Sequence, residues 1–524
     1  MFPTLSPAKL REMWREGLEV ALLDAREESD FAVTHPFFAV SMPLSRIEME
    51  IFRLVPLRST RIVFYDAGEG LAERAAATVT ELGYRDVVLL DGGLAAYAEV
   101  GEVFRDVNVP SKAFGELVEA ICHTPSLSAE NVHERIASGT DMVVLDVRRF
   151  EEYQTMCLPG GISVPGGELA LRVRDLAPSP ETLVVVNCAG RTRSIIGTQS
   201  LVHSGIPNSV AALRNGTMGW TLAGFTLDRQ GRTGFGPASD SNRSAAQTHA
   251  STLANKAGAI ELSAARFAEW RQESNVRTLY CLDVRTPEEY QAGHAASFAC
   301  APGGQLVQAT DEWVAVRGAR IALFDDDGVR ARMAAAWLSQ MGWEVGVLDE
   351  SLVRCDQAGV PEVERPPLPD VWSFTASDLR SKLAEVTVVD LASSPQYKQG
   401  HIPGALFMIR SRIAEDIALL SRRPLVLTSA DGALAAFAAS EFANKSQFPV
   451  RVLRGGTQSW KDQGYEMESE TGHYVSSPLD VYKRPYEGTD NATDAMRAYI
   501  EWELQLVAQL ANDGVSNFRI VRPA

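Results

Sequence analysis

Four segments of the chain repeat one order of elements, and no other feature narrows its fold as far. Each opens with a short apolar stretch ending in an acidic residue: VALLD to Asp24, MVVLD to Asp146, LYCLD to Asp283 and VTVVD to Asp390. The first three continue as Asp-x-Arg. A second apolar stretch then runs into a loop whose lead residue is Asp66, Cys188, Asp325 or Ser429. The spacing between the two landmarks is 42 residues in three copies (24 to 66, 146 to 188, 283 to 325) and 39 in the fourth (390 to 429). Short apolar strands alternating with helical patterns predict an α/β fold, with a mostly parallel sheet covered by helices on both faces. At 524 residues the chain is also too long for one core.

The repeats divide the chain into residues 1–108, 109–230, 259–360 and 361–470. Residues 231–258, rich in Gly, Ser, Ala and polar side chains, read as a linker that splits the chain into two pairs of domains. A second, proline-stiffened linker covers 356–370. Residues 471–524 fall outside the repeat. Their stretch DAMRAYIEWELQLVAQLAN has the apolar spacing of a helix docked on a domain.

Composition excludes several classes. The chain holds 50 Lys and Arg against 67 Asp and Glu, a net charge of −17, which disfavours nucleic acid and anionic membrane surfaces as partners. No apolar run approaches the roughly 18 residues needed to cross a bilayer. The opening MFPTLSPAKLREMW has neither a basic nor an apolar leader region, so no secretory signal is expected. Six cysteines without a CxxC pair fit a reduced, cytoplasmic protein. The eight histidines form no metal-ligand pattern.

Chemistry concentrates in one loop, Asn187-Cys188-Ala189-Gly190-Arg191-Thr192-Arg193-Ser194. It follows a strand and opens a helix, so its backbone N–H groups and the helix dipole converge on one point. A thiol ordinarily titrates at about 8.5, and lowering that by about two units needs roughly 2.7 kcal/mol of preferential thiolate stabilisation. Arg191 and Arg193 are expected to supply it. A cysteine at a strand end is otherwise a small buried hydrophobe. The other copies are an internal control: Asp66, Asp325 and Ser429 show that the fold needs no thiol there, and their loops DAGEGL, DDDGVR and SADGAL lack the Arg-x-Arg pair. Cysteine and both arginines occur together only in the second copy.

With these residues identified, the chain resembles a tandem rhodanese-homology protein, a sulfurtransferase. The likeness covers nearly all of residues 1–470, and Cys188–Arg193 is similar to the six-residue active-site loop of that family. Asp-x-Arg, Glu-Glu-Tyr (151–153, 288–290), Gly-His-Ile-Pro-Gly-Ala (400–405) and Gly-Gly-x-x-x-Trp also resemble its signatures. The resemblance implies four rhodanese-like, doubly wound domains, one of them catalytic. It implies a persulfide on Cys188, with Ala189, Gly190, Arg191, Thr192, Arg193 and Ser194 as the substrate-binding loop, and no cofactor or metal. Two departures stand out: two further cysteine-less copies follow the active one, and Cys157-Leu158-Pro159-Gly160 replaces GHIPG in the second.

The expected reaction is ping-pong. The Cys188 thiolate attacks the outer sulfur of an anionic donor, the arginines neutralise the leaving group, and cyanide, a thiol or a protein acceptor removes the sulfur. Basic loops in the family go with thiosulfate and neutral ones with 3-mercaptopyruvate, so Arg191 and Arg193 favour thiosulfate. A sulfur carrier or scaffold is the alternative of another class, with the second pair of domains as a docking platform. Removing 260–524 would then spare turnover. A cysteine phosphatase or arsenate reductase fits least, because only four residues, 189–192, separate Cys188 from Arg193. Asp146 and Arg148 recur in cysteine-less copies and read as a structural ion pair. His294 and His401 read as turn pins, Trp220 and Trp460 as core anchors, and Cys157 as a small hydrophobe rather than a resolving thiol.

Overall fold

The computed structural model describes residues 2–420, 423–442, 448–470 and 472–522. Met1, Thr471 and 523–524, outer positions of the first and last segments, lie outside the described residues. In every repeat the two apolar stretches become neighbouring parallel strands: Ala21–Asp24 with Ile62–Tyr65, Met142–Asp146 with Leu183–Asn187, Leu279–Asp283 with Arg320–Phe324, and Thr387–Asp390 with Leu425–Thr428. Their register sets the acidic residue opposite the residue that precedes the loop: Asp24 by Tyr65, Asp146 by Asn187, Asp283 by Phe324 and Asp390 by Thr428. The strands are buried on both faces, which is why they are continuous apolar runs rather than alternating ones. Three main sheets have five strands and the fourth has six, the sixth being His473–Tyr474 from beyond the last repeat. In parallel sheets of this kind the ligand-binding crevice lies at the carboxyl ends of the strands, where these loops begin.

The segment 231–258 is not a plain linker. Asp240–Ala257 forms an 18-residue helix that buries Ala246, Ala250, Leu253 and Ala254 against helices Leu169–Leu176 and Arg330–Gln340. Small side chains four apart let the helices approach closely. On the other face Ser244, Thr248 and Thr252 donate back to carbonyls one turn earlier. That polar face is what made the stretch look unstructured.

Nor do the domains pair as the linker suggested. The second copy meets the third through one matching turn of each: Gly166–Gly167 lies against Gly303–Gly304, and a Cβ on Gly167 would stand 2.8 Å from the Gly304 nitrogen. The first meets the fourth through the equivalent turns, Leu44–Arg46 and Arg410–Arg412, with Arg410 held by both oxygens of Glu48 at 2.5 and 2.8 Å. The first and third share one apolar core, across which Tyr280 donates to the Leu54 carbonyl at 2.6 Å. The second half of the chain is therefore woven into the first, and a detachable platform at 260–524 does not describe it.

Arg330, with its side chain 1% exposed, ties the second and third domains together through Glu168 (2.8 Å), Glu289 (2.5 Å), Asp326 (2.8 Å) and Asp327 (2.5 Å). Removing one partner of a buried ion pair strands the other charges and costs about 3–5 kcal/mol. Arg330→Met is expected to lower the first thermal unfolding transition by several degrees. An unchanged transition in scanning calorimetry would contradict this account of the interface.

Candidate active site

Cys188 follows strand Leu183–Asn187, and helix Thr192–His203 begins four residues later. Two features fix the loop from behind. Thr217 N–H donates to the Cys188 carbonyl at 2.8 Å and Met218 N–H to that of Ala189 at 3.0 Å. Gly216, at φ +54°, lets this turn in: a Cβ there would lie 2.2 Å from the Cys188 oxygen. Trp220 anchors the same turn from the core, its indole N–H donating to Thr226 O at 2.9 Å, and Trp460 does so in the fourth copy. At the helix start Gly115 packs against Thr192, bringing helix Val109–Cys122 beneath the loop.

The copies differ in what fills the loop. Asp66 accepts from the N–H groups of Gly68 and Ala72, both at 2.9 Å. Asp325 accepts from Gly328 (3.1 Å) and Ala331 (2.9 Å), with Asp327 capping Val329 and Arg330. Ser429 caps Ala435 at 3.3 Å and Asp431 caps Ala433 at 2.9 Å. In each case the lead side chain reaches the N–H six residues on. In the second copy that residue is Ser194, whose hydroxyl lies 3.4 Å from the Cys188 sulfur. Among the described residues, the N–H groups of Ala189–Arg193 find no acceptor. Three copies carry their own anion or hydroxyl in the cradle; the second leaves it open.

Both arginines line the cavity beside Cys188, but each is already paired with carboxylates. Arg191 is gripped by Glu116 (2.8 Å to each oxygen) and by Glu119, and touches Asn215 at 3.2 Å. Arg193 is bound by both oxygens of Glu152 at 2.8 and 3.0 Å. Burial works to raise the Glu152 carboxyl, but Arg193, backed by Arg148 and Arg149, outweighs it and holds the group at about 2. The Arg193–Glu152 pair also recurs in the third copy as Arg330–Glu289, so it is a brace of the fold rather than a mark of catalysis. Both guanidiniums line the cavity, but neither is a free charge.

Cys188 is 1% exposed, and burial raises its thiol above the ordinary range, with Glu503 adding to the rise. Arg193 and Ser194 lower it, but not enough to offset burial. Burial thus works against the expected thiolate, while Arg193 and Ser194 work for it.

Cys188 stands at the wall of a cavity of about 660 Å³ assembled from distant parts of the chain. Arg46 and Arg53 come from the first domain, Asp311 from the third, and Arg484, Tyr486, Tyr499 and Glu503 from the C-terminal extension. The extension docks as expected, though as two helices, Thr493–Glu503 and Leu506–Asp513. Its apolar face joins the first domain's core. Its part in the site was not foreseen.

The remaining sequence readings fall as follows. Asp24–Arg26, Asp146–Arg148 and Asp283–Arg285 are buried pairs at 2.6–2.8 Å, each arginine also donating to a loop carbonyl. In the fourth copy Ala392 replaces the arginine, and burial pushes Asp390 up to about 6. His294 and His401 stack on Tyr290 and Tyr397 and bond their carbonyls at 2.9 and 2.8 Å, pinning the turns. Cys157 is buried beside Tyr153 and does not line the cavity. Among the described residues no group of His, Cys, Asp or Glu is arranged to hold a metal, and no helix is long and apolar enough to cross a membrane.

These features define a class. The family model of the rhodanese-like domain matches residues 6–100, 128–223, 263–357 and 375–463, and the chain belongs to that family, in four tandem copies. Its fold matches the crystal structure of a thiosulfate sulfurtransferase from Pseudomonas aeruginosa with a TM-score of 0.97 and 50% identity, over 99% of this chain and 100% of that one. A putative sulfur carrier protein of Bacillus subtilis (strain 168) is 28% identical over 96 residues. A probable adenylyltransferase/sulfurtransferase of Mycobacterium tuberculosis is 32% identical over 97 residues. The chain spans 51% of the former and 24% of the latter, and each likeness covers 18% of this chain.

The buried thiol makes a testable statement about reactivity. Alkylation requires the thiolate, and a raised thiol leaves little of it at neutral pH. Iodoacetamide labelling of Cys188, read by mass spectrometry, should be slower at pH 7 than that of an unfolded control peptide and should still rise above about pH 9. A midpoint below about pH 8 would show that the cradle overcomes burial in the resting protein.

Proposed function

We propose that the chain is a sulfurtransferase that carries sulfane sulfur as a persulfide on Cys188. The observation that carries this reading is the open amide cradle in the one copy whose loop leads with a thiol, set in the wall of a cavity that opens to solvent. With thiosulfate as donor, Sγ forms a bond to the outer sulfur, the donor's S–S bond breaks, and its electron pair leaves with sulfite. The thiol proton passes to the transferred sulfur or to solvent. The acceptor, cyanide or a thiol, then takes that sulfur and returns Cys188 to the thiol. The N–H groups of Ala189–Arg193 and the helix start stabilise whichever sulfur anion occupies the loop.

One observation favours a second donor. Glu116, Glu119 and Glu152 neutralise both loop arginines, so the site is less basic than its sequence, and 3-mercaptopyruvate competes with thiosulfate as the natural donor. The same neutralisation supports setting aside a phosphatase, since Arg193 has no guanidinium to spare for a phosphoryl group. The first and third domains act as walls of the cavity. A cavity lined by four parts of the chain favours small acceptors over protein ones. Six free cysteines suit a reducing compartment such as the cytoplasm.

Cys188→Ser is expected to reduce sulfur transfer to cyanide by about 10³-fold or more with either donor. Retained turnover would overturn the assignment. A side-by-side comparison of kcat/KM decides between the donors: a ratio of tenfold or more for thiosulfate supports the first reading, and the reverse supports mercaptopyruvate.

A further inference from the structure

Among the buried polar atoms of the cavity lining that lack a partner, one carboxylate oxygen faces the cysteine loop. Glu503 closes helix Thr493–Glu503 and is 2% exposed. Its Oε1 accepts from the Tyr499 hydroxyl at 3.3 Å. Its Oε2 is buried without any partner and lies 3.4 Å from where a Cβ on Gly190 would stand, so the free oxygen faces the cysteine loop.

The groups around it explain its state. Tyr499 faces it from its own helix, Lys112 and Glu116 from helix Val109–Cys122, Asp106 from the segment before that helix, and Arg191 and Cys188 from the loop. The cations are already committed: Lys112 sits 3.0 Å from Asp106, and Arg191 belongs to Glu116 and Glu119. Burial first, then Glu116, push the Glu503 carboxyl up to about 8, against the pull of Lys112 and Arg191. At neutral pH it is an uncharged acid with an O–H to donate.

We propose that Glu503 is a donor-binding residue: its unpartnered Oε2, facing the loop, carries a proton and donates it in a hydrogen bond to the anionic sulfur donor lying against Cys188. This rests on the sulfurtransferase reading above and deepens it. The task that the sequence assigned to Arg191 and Arg193 falls instead to open backbone N–H groups and one acid O–H, donors that carry no net charge. The consequence is a switch. When the carboxyl ionises it loses its proton and repels the anion it had held.

The test follows the sulfite released when thiosulfate meets the full-length protein without an acceptor, from about pH 6 to about pH 9.5, in wild type, Glu503→Gln and Glu503→Leu. The amide of Gln keeps an N–H at every pH. That variant should match wild type at pH 6 and exceed it about tenfold at pH 9, where about nine-tenths of the native carboxyl has ionised. Leu, with its thermal transition checked, should raise the half-saturating thiosulfate concentration about tenfold at pH 6. Parallel pH profiles for wild type and Gln overturn the proposal, whatever Leu does. So does a Gln variant inactive at every pH, since that would mean the carboxyl moves a proton an amide cannot. No stoichiometric burst from wild type at any pH, of sulfite from thiosulfate or of pyruvate from 3-mercaptopyruvate, would instead sink the persulfide reading itself.

Discussion

A parallel strand that turns directly into a helix leaves several backbone N–H groups pointing at one spot, and in a buried setting they must meet an acceptor. Everything distinctive about this chain follows from how its four copies answer that demand. Asp66, Asp325 with Asp327, and Ser429 with Asp431 answer it from within, each closing its own loop. Cys188 reaches only Ser194 and leaves the rest of the cradle free. Three loops are thereby filled by their own side chains, and one keeps N–H groups to spare for the anion of the proposed reaction.

Charge around that place is arranged with restraint. Arg191 and Arg193 hold the loop, but three glutamates absorb their charge. Exposed loops attract anions with free cations; this one is buried, where unpaired charges are expensive and fixed dipoles are strengthened. The walls come from the first domain, the third and the C-terminal extension. The third domain supplies part of that lining, and the fourth leads into the extension that supplies another part.

The sequence made the repeat, the central strands, the Asp-x-Arg braces and the reactive loop legible, because each depends on residues close together in the chain or on a spacing that recurs. The absence of a thiol from the matching position of the other copies was legible for the same reason. The fate of Arg191 was not, since its partner Glu116 lies 75 residues earlier, on a helix whose position the loop spacing does not reveal. Arg193 left a signal that went unread: Glu152 to Arg193 and Glu289 to Arg330 are both 41 residues apart. Helix Asp240–Ala257 was hidden by its serines and threonines. The pairing of domains one with four and two with three was hidden because sequence order suggests neighbours, while the packing is made by matching turns far apart.

The most direct measurement is a mass-spectrometric census of all six cysteines after exposure to a sulfane-sulfur donor with no acceptor present. The account predicts one added sulfur on the peptide carrying Cys188 and none on those carrying Cys122, Cys157, Cys281, Cys300 or Cys355. Sulfur on any of those five with Cys188 unmodified would contradict it.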